Sequence, residues 1–494
     1  MKLNSVGPES VRAELVEACI ATGPSTGSGR TAYACAVVAC IVALAAAGCA
    51  VGPAYERPAV ETPAQFKEGQ GEWVRAAPAD TLERGPWWEL FQDPDLNALA
   101  SQVEVSNQNV AAAVAAYAQA RALVAQQRAS LFPTVSLDAG ATRSGGGGSV
   151  GGTRNSYQVS IGGSWEPDVW GRLRSGVEAA GAGAQASLAD LQAAKLSAQG
   201  ELATDYFNLR QLDVQHALLE ETVSGYQRSL TIATNRYNAG VAPHSDALQA
   251  QTQLANAQAD LLGVERQRAT LEHAIAVLVG KAPGNFTLAP RPTWQAVLPD
   301  VPFGVPSTLL QRRPDIAAAE RRAAQANEQI GVAQAAYFPS LRLSGSAGSN
   351  AASIGDLFKA SSLVWSLGLS LAETIFDGGL RSAQVASARA SFEQASARYR
   401  QTVLAAFQGV EDDLVAARVL QSQLALRQQA AQAANLVEQQ VSNRYKSGLV
   451  SYTEVVTAQA TALNARRSLV QAQSDRNVAT VALIQALGGG WQGL

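Results

Sequence analysis

Hydrophobic positions recur in two rhythms along this chain. Four short segments alternate apolar and polar residues: TVSLDAGATR (134–143), SYQVSIGGSW (156–165), SLRLSGSAGS (340–349) and SLVWSLGLSL (362–371). Val135, Leu137 and Ala139 share one side of the first, and Tyr157, Val159 and Ile161 one side of the second. Leu341 and Leu343, then Trp365, Leu367, Leu369 and Leu371, do the same in the other two. A Gly/Ser-rich loop separates the first pair. Segments of about ten residues with period two carry the signature of transmembrane β-strands, although a soluble edge hairpin alternates in the same way.

The second rhythm is helical. From about 173 to 237, and again from 380 to 445, no proline interrupts the pattern. At 1.5 Å per residue each such helix spans roughly 100 Å, a length that reads as coiled-coil-like packing. The turns YNAGVAPHS and YKSGLVSYT follow, each leading to a return helix that ends at Val279-Gly280 or Leu487-Gly488. A further helical stretch (roughly 96–131 and 309–337) precedes each pair of strands and stops at Phe-Pro, as expected before a proline. Two shorter helices stacked end to end would match one long helix, and a hollow cylinder of antiparallel helices satisfies that geometry.

The two sets of elements are copies. Leu131-Phe-Pro133 recurs as Tyr337-Phe-Pro339, WGRLRS (170–175) as DGGLRS (377–382), NRYNAG (235–240) as NRYKSG (443–448), and Val279-Gly280 as Leu487-Gly488. The order is constant and the shift stays near about 207 residues, which identifies an internal duplication. The expected organisation is a first repeat at 96–280 with a hairpin at 134–165. A Pro-rich linker at 281–308 leads to a second repeat at 309–488 with a hairpin at 340–371, and a tail follows at 489–494.

Composition narrows the function. The 494 residues carry 38 Lys and Arg against 41 Asp and Glu, so the chain lacks the basic footprint of a nucleic-acid binder. The four cysteines, Cys19, Cys35, Cys40 and Cys49, all lie in the first tenth of the chain, and the three histidines sit at spacings that suit no metal site. No Ser/His/Asp arrangement or phosphate loop presents itself. The Gly-rich run SGGGGSVGG (144–152) joins two strands instead of leading from strand to helix, which suits a surface loop. The expectation is no enzyme, no cofactor and no metal.

The N-terminus indicates a compartment. Ala32 to Gly48 form an apolar run, short for a spanning helix and suited to a signal-peptide core, with Arg30 as its positive flank. Ala47-Gly48-Cys49 then fits a lipoprotein signal at 1–48, with Cys49 as the acylated first residue of the mature chain. Ala46 stands where such signals usually have Leu, and simple cleavage after Ala47 is the plainer alternative. Acyl chains contribute about 0.8 kcal/mol per buried CH₂, so several would anchor the N-terminus firmly.

Four strands cannot close a barrel, and strands in a bilayer must close. Two copies would supply eight strands and three would supply twelve. Eight leave an interior plugged by side chains, so a conduit favours the homotrimer. The fold class expected is mainly α with a transmembrane β part: a duplicated long-helix α-barrel and four strands per chain, closing a 12-stranded β-barrel in the trimer.

Three stretches also carry a family resemblance: CAVGPAYERP from Cys49, WWELFQDPDLNAL from Trp87 to Leu99, and LLQRRPDIAAAE from Leu309 to Glu320. They resemble the lipoprotein branch of the outer-membrane factors, the TolC/OprM/NodT-like channels of tripartite efflux systems. The resemblance implies a trimeric tunnel with a β-barrel in the outer membrane, a helical barrel across the periplasm and a belt at mid-height. The belt would hold the lipid-anchored segment 49–95, the Pro-rich linker and the tail. It also implies a periplasmic adaptor (membrane fusion) protein and an inner-membrane pump, of resistance-nodulation-division type, as partners. A duct for type I protein secretion is the alternative within the class, and a lipid-tethered coiled-coil scaffold without a pore the alternative outside it.

A conduit needs a gate, and each repeat offers a helix–turn–helix tip. Tyr237 and Gly240 mark the first and Tyr445 and Gly448 the second, each Gly suiting a helix end that needs positive φ. Asp246 and Glu454 lie six residues beyond. In similar channels acids near this tip line the closed aperture, and threefold symmetry would set each into a ring. An acid in the first turn of a helix also simply complements the helix dipole; that reading is the nearer one for Asp246, and the two stand level for Glu454. Related sequences often continue Asp-Ala-Gln-Arg where this chain has Thr457-Ala458-Gln459-Ala460, so a charged lock at that level is either weaker here or carried by other residues such as Arg444. Leu449, Val450 and Tyr452 at the same tip are the expected adaptor contacts.

Overall fold

The computed structural model describes residues 51–68, 86–145, 153–299 and 312–489. The signal segment 1–48, Cys49, the loop 146–152, the 300–308 part of the linker and nearly all of the tail lie outside these residues. The described chain forms two compact units, one of which contains Leu131–Arg174 and Gln334–Asp377.

That unit is built on a sheet of β1 (Thr134–Ser144), β2 (Arg154–Trp165), β3 (Ser340–Ala351) and β4 (Leu363–Ala372). All pairings are antiparallel and the order is β1-β2-β3-β4, so the two expected hairpins are fused into one sheet by β2 pairing with β3. Register fixes the faces. Leu137 lies opposite Ile161, Ile161 opposite Ala347, and Ala347 opposite Trp365. Cross-strand partners share a face, so Val135, Leu137, Ile161, Trp365, Leu367 and Leu369 stand together on one side. The opposite side carries Ser136, Ser160, Ser346, Ser366 and Ser370, with Gly162 and Gly368 between them. Both faces are open, the apolar one included: Trp365 is 76% and Leu367 79% exposed. A water-soluble edge hairpin would turn such a face toward a core, since apolar patches of this kind mark membrane or partner contact. Trp165 Nε1 donates to the Leu131 carbonyl at 2.9 Å. Trp170 Nε1 donates to Pro339 at 2.7 Å while its ring stacks on Phe338 at 4.8 Å.

The second unit is helical: α1 (Pro94–Ser106), α2 (Gln108–Ala129), α3 (Arg172–Asn238), α4 (His244–Leu278), α5 (Pro314–Ala335), α6 (Leu380–Lys446) and α7 (Tyr452–Ala486). α3 and α6 run 67 residues each, and α4 and α7 run 35 each. No described helix is long and apolar enough to cross a membrane.

The single helix expected over 96–131 is two helices. Asn107 adopts an extended conformation between them, and its Oδ1 accepts from the amides of Asn109 and Val110 to cap α2. A capping side chain that competes with the helical ladder is the reason Asn favours such breaks. Its Nδ2 donates to the Leu278 carbonyl at 2.9 Å, which joins the start of α2 to the end of α4. The second repeat makes the corresponding junction with a different residue: Arg313 Nη1 donates to the Ala486 carbonyl at 2.9 Å. Beside each junction a glycine adopts positive φ, Gly280 at +71° and Gly488 at +93°. A Cβ on Gly280 would meet the Ser106 carbonyl oxygen at 2.3 Å, and one on Gly488 the Arg312 carbonyl oxygen at 3.0 Å.

The core of this unit gathers Trp87, Trp88, Phe91, Tyr206 and Phe207. Next to it Arg210, with no exposed surface, donates to Asp213, Asp95 and the Ala289 carbonyl. Asp213 also accepts from Arg268 Nε and from the Arg291 amide, so segment 286–294 of the linker is held by buried charges as well as by Trp294. Asp93 accepts from Tyr206 and Trp294. Burial raises the pKa of its carboxyl, but the hydrogen bonds from Trp294, Tyr206 and the Leu96 and Asp95 amides outweigh that and leave it below the usual value.

Candidate gate at the paired helical turns

Both long helices end in the same way. Gly240 has φ +73° and Gly448 +76°. The Val241 amide bonds back to the Arg236 carbonyl and the Leu449 amide to the Arg444 carbonyl, each satisfying an otherwise orphaned carbonyl at a left-handed helix stop. Each turn then brings two rings together at a tilt. Tyr237 lies on His244 with centroids 4.7 Å apart, and Tyr445 on Tyr452 at 5.2 Å. The two pairs occupy equivalent places in the duplication.

The turns are also in contact with one another. Tyr445, Tyr452 and Val455 pack with Ala233, Ala247 and Ala250 in one buried cluster, with Val450 partly buried against it. Arg236 crosses between the repeats: its Cζ lies 4.8 Å from the centre of the Tyr445 ring and its Nη1 donates to the Tyr445 carbonyl at 3.1 Å. Asp246 faces the same cluster. Burial first, and the Asp246 charge second, raise the Tyr445 hydroxyl above its ordinary pKa. The Tyr452 hydroxyl is pushed up to about 12, by burial first and then by Tyr445, Tyr226 and Asp246.

The two acids, both in the first turn of a helix, differ in their local contacts. Glu454 completes a capping box: the Ser451 side chain accepts from the Glu454 backbone amide, and the Glu454 carboxylate accepts from the Ser451 amide. Such a box ties down two helix donors and is a sufficient local reason for the residue. Asp246 holds the same position in α4, but the cap residue there is Pro243, which has no N–H to offer. Its carboxylate is left to face the tyrosines.

Among the remaining expected residues, Arg444 and Leu449 are exposed, Leu449 at 70%, whereas Tyr452 is 2% exposed and so unable to meet a partner from its core position. A groove of about 410 Å³ runs beside Glu454, lined by Val437 and Val441 of α6 and Thr457 and Thr461 of α7. Sequence reasoning passed over Arg236 and His244, although the repeated Asn-Arg-Tyr contained the signal: naming Arg444 in one copy implies Arg236 in the other. No group of His, Cys, Asp and Glu that could hold a metal ion occurs among the described residues.

The comparisons with known proteins agree with this architecture. Residues 99–281 and 305–489, one span on each repeat, match the family described as Outer membrane efflux protein. The chain is 29% identical over 461 residues to the cation efflux system protein CusC of Escherichia coli O6:H1, covering 93% of this chain and 99% of that one. It is 30% identical over 452 residues to the solvent efflux pump outer membrane protein SrpC of Pseudomonas putida, covering 90% and 96%. Among solved structures, the outer-membrane channel OprN matches with a TM-score of 0.82 at 29% identity, over 90% of this chain and 100% of that one.

Proposed function

The chain belongs to the outer membrane efflux protein family, and from that premise we propose that three copies join their sheets edge to edge into a twelve-stranded barrel and conduct small compounds passively outward. It is an outer-membrane exit channel of an efflux system. The observation that carries the trimer is the sheet itself. Its outer strands, β1 and β4, have free outer edges among the described residues, and its apolar face is bare. An unpaired backbone group in hydrocarbon costs several kcal/mol, so each edge must meet another copy.

In this reading Cys49 is acylated and tethers the mature chain to outer-membrane lipid. The helical turns form the periplasmic aperture, closed by the cluster of Arg236, Asp246, Tyr445 and Tyr452. Leu449, with the groove beside Glu454, receives a periplasmic adaptor that connects the duct to an inner-membrane pump of resistance-nodulation-division type. The relatives are named for cations and for solvents, which supports placing cargo choice in the pump rather than in the duct.

Single-channel conductance of detergent-purified protein in a planar bilayer, with native mass measured on the same sample, tests the proposal. A trimer with small conductance is expected, and a monomer with none would overturn it.

A further inference from the structure

We propose that Arg444 lies over the ring of Tyr237 in the neighbouring copy, so that each aperture contact within a chain has a counterpart between chains. The inference rests on the ring of three copies proposed above and adds the partner of one of its exposed residues. Within one chain Arg236 covers the Tyr445 ring at 4.8 Å and donates to the Tyr445 carbonyl. The duplication maps Arg236 onto Arg444, Tyr445 onto Tyr237 and Tyr452 onto His244. The local geometry follows the mapping: Tyr237 meets His244 at a tilt, as Tyr445 meets Tyr452, and the turns close with the same backbone bonds.

One half of the pair is satisfied and the other is presented. Arg444 is exposed, and Tyr237 is 43% exposed against 6% for Tyr445. In a closed ring the repeats alternate, and the contact requires the turns to keep the sixfold spacing of the duplication, so that the step from first to second repeat recurs as a step from second repeat to the first repeat of the next copy. Under that operation the Arg236–Tyr445 contact becomes Arg444 over Tyr237 of the neighbour. A guanidinium over a tyrosine face is attractive in its own right, more so when the neighbouring copy excludes water.

The test is cross-linking of the purified full-length protein carrying Arg444→Cys together with Tyr237→Cys, using a flexible bismaleimide. Native mass is measured on the same variant before reagent is added. Denaturing gels should show covalent dimers and trimers, absent from either single variant, while Arg236→Cys with Tyr445→Cys should cross-link within one chain and migrate as a monomer. A trimer by mass that gives monomer bands alone would overturn the contact and leave the duct intact. A monomer by mass would overturn the ring and the contact with it.

Discussion

The Asn107 side chain and the Leu278 carbonyl, 2.9 Å apart, join the end of one helix to the start of another within the first repeat. The second repeat reaches the same end through Arg313 and Ala486, so the junction has outlasted the identity of the residue that makes it. Asn107→Ala removes a helix cap and strands a carbonyl. The expected cost is about 1–3 kcal/mol, read as a lower midpoint in thermal unfolding, and an unchanged midpoint would show the junction to be dispensable.

The glycines at these junctions should rank in a definite order. Gly280→Ala forces a Cβ within 2.3 Å of the Ser106 carbonyl oxygen in addition to strain at positive φ, whereas Gly240 has open space around it. Both substitutions are strained by backbone conformation, at about 1 kcal/mol. Only Gly280→Ala should go well beyond that and reduce the yield of folded protein. Equal midpoints for the two variants would contradict the packing described.

Glu454 distinguishes a cap from a charge. Glutamine can serve in a capping box, and alanine cannot. If the residue acts mainly as a cap, Glu454→Gln keeps the wild-type conductance and midpoint while Glu454→Ala lowers the midpoint by an amount equivalent to about 0.5–2 kcal/mol. Equal rises in conductance for both variants would instead assign it to a ring of charge.

Arg210 is buried between Asp213 and Asp95. Arg210→Met leaves the Asp213 carboxylate, 1% exposed, with one fewer cationic partner. Because Arg268 still pairs with Asp213, the loss is that of a charged hydrogen-bond partner, about 1.5–3 kcal/mol. The linker should loosen first, and faster hydrogen exchange at the Leu288 and Arg291 amides would report it.

Asp205 and Asp413 occupy equivalent places in α3 and α6, and both are raised from 3.8 to about 6. Burial is the main cause in each, with Glu201 adding to the first and Asp412 to the second. A carboxyl with a raised folded pKa favours the fold while protonated. Its contribution is full below pH 4 and is lost as pH rises through 6. Asp205→Asn with Asp413→Asn should therefore flatten the decline in thermal midpoint between pH 4 and pH 7, and an unchanged slope would assign that decline to other groups.

Much of the fold is legible in the residues. Period-two alternation locates all four strands, and the absence of proline locates α3 and α6 to within a residue or two. The break at Asn107 is not legible, because an Asn among Ala and Gln is ordinary and only the Leu278 carbonyl makes it a junction. The fusion of two hairpins into one sheet is equally invisible, since pairing between β2 and β3 depends on two segments far apart in sequence. At the tip, Ser451-Tyr-Thr-Glu454 can be read as a capping box and Pro243-His-Ser-Asp246 cannot, so the differing roles of the two acids were available in the sequence. The burial of Tyr452 was not, because it is imposed by the neighbouring repeat.

The bare sheet edges bear on how the molecule comes into being. Among the described residues a lone copy presents two strand edges of unpaired amides and carbonyls beside a greasy face, the combination that templates strand addition and aggregation. Its β part therefore gains its stability when copies meet. The refolding yield of the sheet should rise with protein concentration up to the point where disordered association competes, and any holding factor that escorts the chain to its membrane would have to shield β1 and β4 before anything else.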